Sequence, residues 1–343
     1  MATKKRIPIN KKNKSEKIVL THEGAISKKT SNTNKLIARI LIAVVVFACV
    51  WEVFQMMANQ AVPQLKTNLI LKIDSSTKGA GPFGAWGASE VGRDKIIVAD
   101  NKNNRLLLFN RKGDFLKSWG TFMIDKHKTA KFNEPSGITA DDRGNAYVID
   151  SWNGSIEGFD ENGNEIARFG LTGLGLYGPR GIGFDGNNFI IADTGSHRIV
   201  FVSPKGEIVK SWGSAGSGDG HFNNPVAVTS DEKGNYFVAD MNNSRVQILD
   251  SNLKNIKYIK LKDIVSAVAV DKEGHIYVGT DSDKGEVEVF NSNGNALGTL
   301  VDTAGSGDPF RHIKFMTVTS DDLLLMTYDD SVCLYQLPSF SQK

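Results

Sequence analysis

The chain has 343 residues, an ordinary apolar content, 34 glycines, two cysteines and a formal charge of +3. That small charge hides an asymmetry: residues 1–39 hold eleven Lys and Arg against Glu16 and Glu23, and the remainder carries an excess of six acids. An acidic body argues against a nucleic-acid partner, which needs a basic footprint, and a pair as distant as Cys49 and Cys333 argues against a disulfide framework.

Residues 1–35 are rich in Lys, Asn, Ser and Thr without apolar periodicity, and are expected to form a disordered, basic, cytoplasmic tail. Residues 36–58 are mostly apolar, with an uninterrupted core from Ile40 to Trp51. With Arg39 snorkelling at one end, this stretch approaches the roughly 20 residues that a bilayer requires. It is predicted to be a transmembrane signal-anchor helix, with Trp51 in the interfacial belt. The positive flank comes first, which places the tail inside and everything after it outside the cell membrane. A cleaved secretory leader, or lipoprotein-like processing at Val46–Cys49, would leave the rest of the chain on that same side. Residues 59–64 read as a linker.

From residue 65 to 343 the chain repeats itself. An apolar strand ends in Asp, and an Arg follows five residues later: Asp100 and Arg105, Asp193 and Arg198, Asp240 and Arg245. Weaker copies end at Asp150, Thr280 and Thr327. The six anchors lie 40 to 50 residues apart, a period that fits four short strands per unit and an all-β, six-bladed propeller.

The unit from Phe222 to Leu261 shows the pattern best. Val226–Ser230 is a small-residue inner strand, the Asp231–Asn235 stretch is an Asx/Gly turn, and Tyr236–Ala239 is continuously apolar, as expected of a strand buried on both faces. Only six residues follow the third strand of the last unit, too few for a fourth. The stretch 69–73 (Leu-Ile-Leu-Lys-Ile) is therefore predicted to close the last blade, removing the exposed edges of an open stack.

This pattern resembles the NHL repeat. The residues that carry the resemblance are Pro135, Pro179 and Pro225 before the inner strands, the Asp-x-x-Gly-Asn turns, the Val-Ala-Asp strand ends with their Arg, and the Ser-Trp-Gly closings at 118–120 and 211–213. The resemblance covers roughly residues 76–337 and implies a six-bladed propeller. It also implies a place to look for catalysis, because amidating lyases of this fold hold zinc with histidines set largely just after the inner-strand Pro. Those positions here are Ser136, Arg180 and Val226, and the six histidines occupy dissimilar places, so neither a metal nor any cofactor is expected.

The Asp/Arg pairs recur at equivalent positions and read as architecture. Asp150 keeps the acid but has Ser155 in place of the Arg, with Trp152 and Asn153 in the turn, which makes it a candidate ligand contact. Phe83, Phe132, Tyr177, Phe222 and Phe310 are expected to pack between blades. The starts of the inner strands and the turns after the Asp anchors fall on one side of the disc. The candidate binding face is therefore a channel mouth formed by Ser136, Arg180 and Val226, surrounded by Asp150, Trp152, Asn153, His197, Met241 and the connection 123–131. The expected function is that of a membrane-tethered, extracytoplasmic, prokaryotic propeller acting as a non-catalytic recognition or scaffold module. Its partner would be a protein or an envelope glycan. The alternative is a propeller lyase or hydrolase acting at the same mouth. Nothing in the sequence specifies an oligomeric state.

Overall fold

The computed structural model describes residues 35–37, 39–52, 62–120, 132–170, 173–283, 285–303 and 310–340. The basic tail up to residue 34, residues 38 and 53–58 of the expected anchor and the connection 123–131 lie outside the described residues.

Two compact units divide at residues 61 and 62. In the first, residues 35–37 and 39–52 are helical. Among the described residues, no helix is long and apolar enough to cross a membrane. The expected anchor at 36–58 is described only in part.

The second unit is a ring of six antiparallel sheets. The inner strands, in order, are Ala85–Val91, Pro135–Ala140, Gly181–Phe184, Pro225–Ser230, Val265–Val270 and Phe315–Val318. Each touches the next, and the sixth touches the first, so the ring is shut. The second strands (Lys95–Asp100, Ala146–Asp150, Phe189–Asp193, Tyr236–Asp240, Ile276–Thr280 and Leu323–Thr327) are almost wholly buried. Their Val, Ile and Leu side chains meet neighbouring blades on both faces, where β-branched residues pack well.

Small residues crowd the axis because backbone packs on backbone there. A Cβ on Gly87 would stand 2.3 Å from the Ser136 carbonyl oxygen, and one on Gly137 2.4 Å from that of Arg180. Gly137 N–H donates to this same Arg180 carbonyl at 2.9 Å. Any side chain would force the blades apart.

Leu69–Asp74 pairs antiparallel with Ser331–Gln336 and is the outer strand of the sixth blade. Its Ile73 is fully buried in a cluster shared by blades 6 and 1. On the side of the disc away from the mouth, Ser320 N–H donates to Glu90 at 2.8 Å across the same seam. The expected linker 59–64 ends differently from its reading. Gln64–Thr67 is a strand, and it runs parallel to Ala296–Asp302 as a fifth strand on blade 5. Tyr177 also departs from expectation. Phe83, Phe132, Phe222 and Phe310 are buried between blades, whereas Tyr177 is 64% exposed.

Candidate functional site

In three blades the Asp anchor ties together the end of one strand, the start of the next and the connection arriving from the previous blade. Asp100 Oδ2 accepts from Arg105 Nε at 2.6 Å, Asp193 from Arg198 at 2.7 Å and Asp240 from Arg245 at 2.7 Å. The other carboxylate oxygen accepts a backbone N–H of the incoming connection: Gly84 at 2.9 Å, Tyr177 at 2.7 Å and Asn223 at 2.6 Å. The guanidinium then reaches that connection's carbonyls, such as Ala80 at 2.9 Å and His221 at 2.9 Å. These pairs therefore hold the blade seams together.

After three of the anchors the next residue hydrogen-bonds to the following blade. Asn101 Nδ2 donates to the Pro135 carbonyl at 3.3 Å, Ser151 Oγ to that of Pro179 at 2.9 Å and Thr194 Oγ1 to that of Pro225 at 2.7 Å. Between blades 5 and 6 an ion pair takes over, with Lys314 Nζ 3.3 Å from Asp281.

At the start of the inner strands the ladder slips. Register shifts between Ala85 and Gly87, Pro135 and Ile138, Pro225 and Ala227, and Val265 and Ala267 leave Trp86, Ser136, Val226 and Ser266 out of the pairing. Bulges of this kind re-aim side chains. Together with Arg180 and Phe315 these residues ring the axial mouth, where a cavity of about 80 Å³ also meets Met241, Asp281 and Lys314. The Arg180 guanidinium lies 5.4 Å from the centre of the Trp86 ring. Lys314 is held between Asp281 and Asp329, each at 3.3 Å. Arg180 is exposed and makes no ion pair among the described residues.

The expected site residues separate on this geometry. Ser136, Arg180, Val226 and Met241 line the mouth. Ser136 is 2% exposed and spends its hydroxyl on Ser151 Oγ at 2.8 Å. Trp152 is 58% exposed. His197 closes a 3-10 turn in the left-handed region, and its Nδ1 accepts from Asn224 N–H at 3.1 Å. Asp150 is withdrawn from the surface. It is fully buried, accepting from Asn133 N–H at 2.8 Å and from Asn153 Nδ2 at 2.8 Å, and burial pushes its carboxyl above the usual range.

The sequence reading missed Trp86, Ser266, Asp281, His312, Lys314 and Phe315. His312 Nδ1 lies 2.8 Å from Asp281 Oδ1, a contact that raises the imidazole's pKa, and its Nε2 lies 3.2 Å from Asp283. It also borders a groove of about 400 Å³ beside blade 6.

The zinc that the resemblance implies does not fit this ring. Zinc is bound by imidazole, thiolate or carboxylate, and the six ring positions hold Trp86, Ser136, Arg180, Val226, Ser266 and Phe315. Away from the mouth, Asp271, Glu273 and His275 present ligand atoms within 4.8 Å of one another. There His275 contacts Asp271 as Asn145 contacts Asp141 in the corresponding turn of blade 2.

Residues 222–249 match the NHL repeat. Over 160 residues the chain is 30% identical to a probable peptidyl-alpha-hydroxyglycine alpha-amidating lyase of Caenorhabditis elegans, an alignment covering 45% of this chain and 40% of that protein. It thus spans less than half the length of that relative. Among solved structures, a streptogramin B lyase aligns at TM-score 0.52 and 12% identity over 79% of this chain and 98% of the other. Virginiamycin B lyase from Staphylococcus aureus aligns at TM-score 0.53 and 13% identity over 79% of this chain and 99% of the other. At such identities the likeness shows the fold alone. The chain carries an NHL repeat within a six-bladed β-propeller.

Proposed function

We propose that this propeller is a non-catalytic recognition module that takes an acidic group of a protein or envelope glycan into its channel mouth. One observation carries the reading. Arg180 is an exposed cation without an ion-pair partner among the described residues, braced against Trp86 at 5.4 Å, whereas the neighbouring Lys314 is neutralised by two carboxylates. A guanidinium held by an aromatic face is preorganised for a carboxylate or phosphate. Display outside a membrane belongs to the same proposal, and the basic tail ahead of the apolar stretch 40–51 supports attachment there.

The test is calorimetric titration of the full chain with acidic muropeptides and with a poly-glutamate peptide. Saturable binding that weakens at least tenfold in Arg180→Ala but persists in Lys314→Ala supports the reading. Binding that is indifferent to Arg180 overturns it.

The lyase or hydrolase reading has its own observation, the 2.8 Å contact of His312 with Asp281 beside the mouth. Its test is turnover of a peptidyl-alpha-hydroxyglycine and of a streptogramin B by the full chain. Turnover that disappears in His312→Ala would make the protein an enzyme.

A further inference from the structure

Blade 3 treats one place of the repeat unlike its neighbours. The backbone N–H that reaches the anchor Asp belongs to Asn133 in blade 2 and to Asn223 in blade 4, but to Tyr177 in blade 3. In each of these blades the carbonyl of that residue accepts from the second residue of the turn after the anchor. The donors are Trp152 at 3.2 Å, Asn242 at 3.0 Å and, beneath Tyr177, Gly195 at 2.9 Å. The glycine makes room for the ring. A Cβ on Gly195 would stand 2.3 Å from Tyr177 Cδ1, so the ring lies directly on the backbone of the turn. Tyr177 is thus bonded through both its N–H and its carbonyl, yet it is 64% exposed. The core does not need this ring, because Leu174, 3% exposed, fills the interior beneath the connection. A large aromatic seated firmly at the surface, where two sister blades carry asparagine, is available to a ligand.

We infer that the mouth takes an acidic glycan, with one sugar ring stacked on Tyr177 and a carboxylate of the same oligosaccharide on Arg180. This rests on the reading of Arg180 as the cation for an acidic group, and narrows the ligand to one class. Tyr177 and Arg180 are three residues apart, which limits their backbones to a separation of at most about 10 Å. The stretch between them is tied down. The Pro179 carbonyl accepts from Ser151 Oγ at 2.9 Å, and Arg180 N–H donates to the Ala192 carbonyl at 3.1 Å. The two backbones therefore hold one spacing. Carbon-bound hydrogens on one face of a pyranose carry slight positive charge and meet the negative face of an aromatic ring, while a guanidinium pairs with a uronate carboxylate. The core of a protein interface would be apolar, whereas the turn under Tyr177 is Thr194–Ser196, with Gly195 at its centre. The acidic balance of the propeller argues against nucleic acid, the other ligand that stacks on aromatic rings.

The test is calorimetric titration of the full chain with tetragalacturonate, with the galacturonate monomer and with a poly-glutamate peptide. The tetramer should bind roughly tenfold tighter than the monomer. Tyr177→Phe, which keeps the ring, should preserve that gain. Tyr177→Leu, which keeps apolar surface but not the flat face, should abolish it. Arg180→Ala should weaken both saccharides. A tetramer that gains nothing over the monomer, or a gain that survives in Tyr177→Leu, overturns the inference. Poly-glutamate bound through Arg180 without any binding of tetragalacturonate also overturns it, and leaves the mouth standing as a site for an acidic group. Saccharide binding indifferent to Arg180, or no binding of any of the three ligands, sinks both.

Discussion

Arg245 donates to the buried Asp240 carboxylate at 2.7 Å while its guanidinium lies 4.3 Å from the centre of the Tyr258 ring. It is the most enclosed of the three anchor arginines, with its side chain 5% exposed against 21% for Arg105 and 28% for Arg198. Breaking a buried pair by removing one partner strands a charge and costs about 3–5 kcal/mol. Arg245→Met should therefore lower stability by an amount in that range, and Arg198→Met by clearly less. Urea unfolding of both variants checks the order; equal losses would show that burial does not rank these pairs.

Ile73 carries the seam that shuts the ring. It is fully buried among residues of blades 6 and 1, so Ile73→Ala should cost about 2–5 kcal/mol, the usual range for such a truncation in a core. Ile70, on the same strand but 54% exposed, provides the control. Ile70→Ala should fall within about 0.5 kcal/mol of wild type, and a similar loss at both positions would argue against a packed seam.

Alkaline pH should attack the interior. Burial, with Asp185 beside it, pushes the Tyr236 phenol up to about 12, and burial pushes the Cys333 thiol up to about 11. Burial and Asp271 raise Tyr277 further still. These groups stay neutral in the folded state while the unfolded chain ionises from its ordinary values upward. Folding is thus unaffected by them near neutrality, and stability falls as pH rises through about 9 to 12. Denaturation midpoints measured across that window should drop steadily, and Cys333 should resist thiol reagents until the fold opens. A flat profile would show that these side chains reach solvent.

Asp150 and Asp240 should respond in opposite ways to the loss of their charge. Burial raises the pKa of Asp150, so its ionised form is disfavoured in the fold and acidification through that pKa relieves the strain. Asp150→Asn should be neutral or stabilising near neutral pH. Asp240→Asn strands Arg245 and should destabilise by about 3 kcal/mol or more. Urea midpoints of the two variants give the comparison.

The propeller and its closing strand were legible because the same strand pattern recurs six times and three blades share the same anchor pair. An Asp that ends a strand and an Arg five residues on leave a periodic mark. The mouth was only half legible, because its members were located from Pro135, Pro179 and Pro225. In blades 1, 5 and 6 that proline is Ala85, Val265 or Lys314, which hid Trp86, Ser266 and Phe315. Counting backward from the anchors through the ladder pairs, such as Ala85 with Asp100 and Val265 with Thr280, finds them. Asp150 was misplaced for a different reason. A missing Arg looked like an available acid, whereas Asn133 and Asn153 keep the carboxylate inside. The fifth strand, Gln64–Thr67, had no signal at all, since four residues bordering a parallel neighbour show no useful alternation.

Leu69 pairs with Tyr335, so the outer strand of the last sheet and its other three strands come from opposite ends of the propeller. During synthesis that outer strand must wait, unpaired, until Ser331–Gln336 has left the ribosome. Contacts this remote in sequence form slowly, and their apolar edge stays open to wrong partners in the meantime. A nascent chain stalled before residue 331 should therefore engage chaperones and proteases that the released protein escapes.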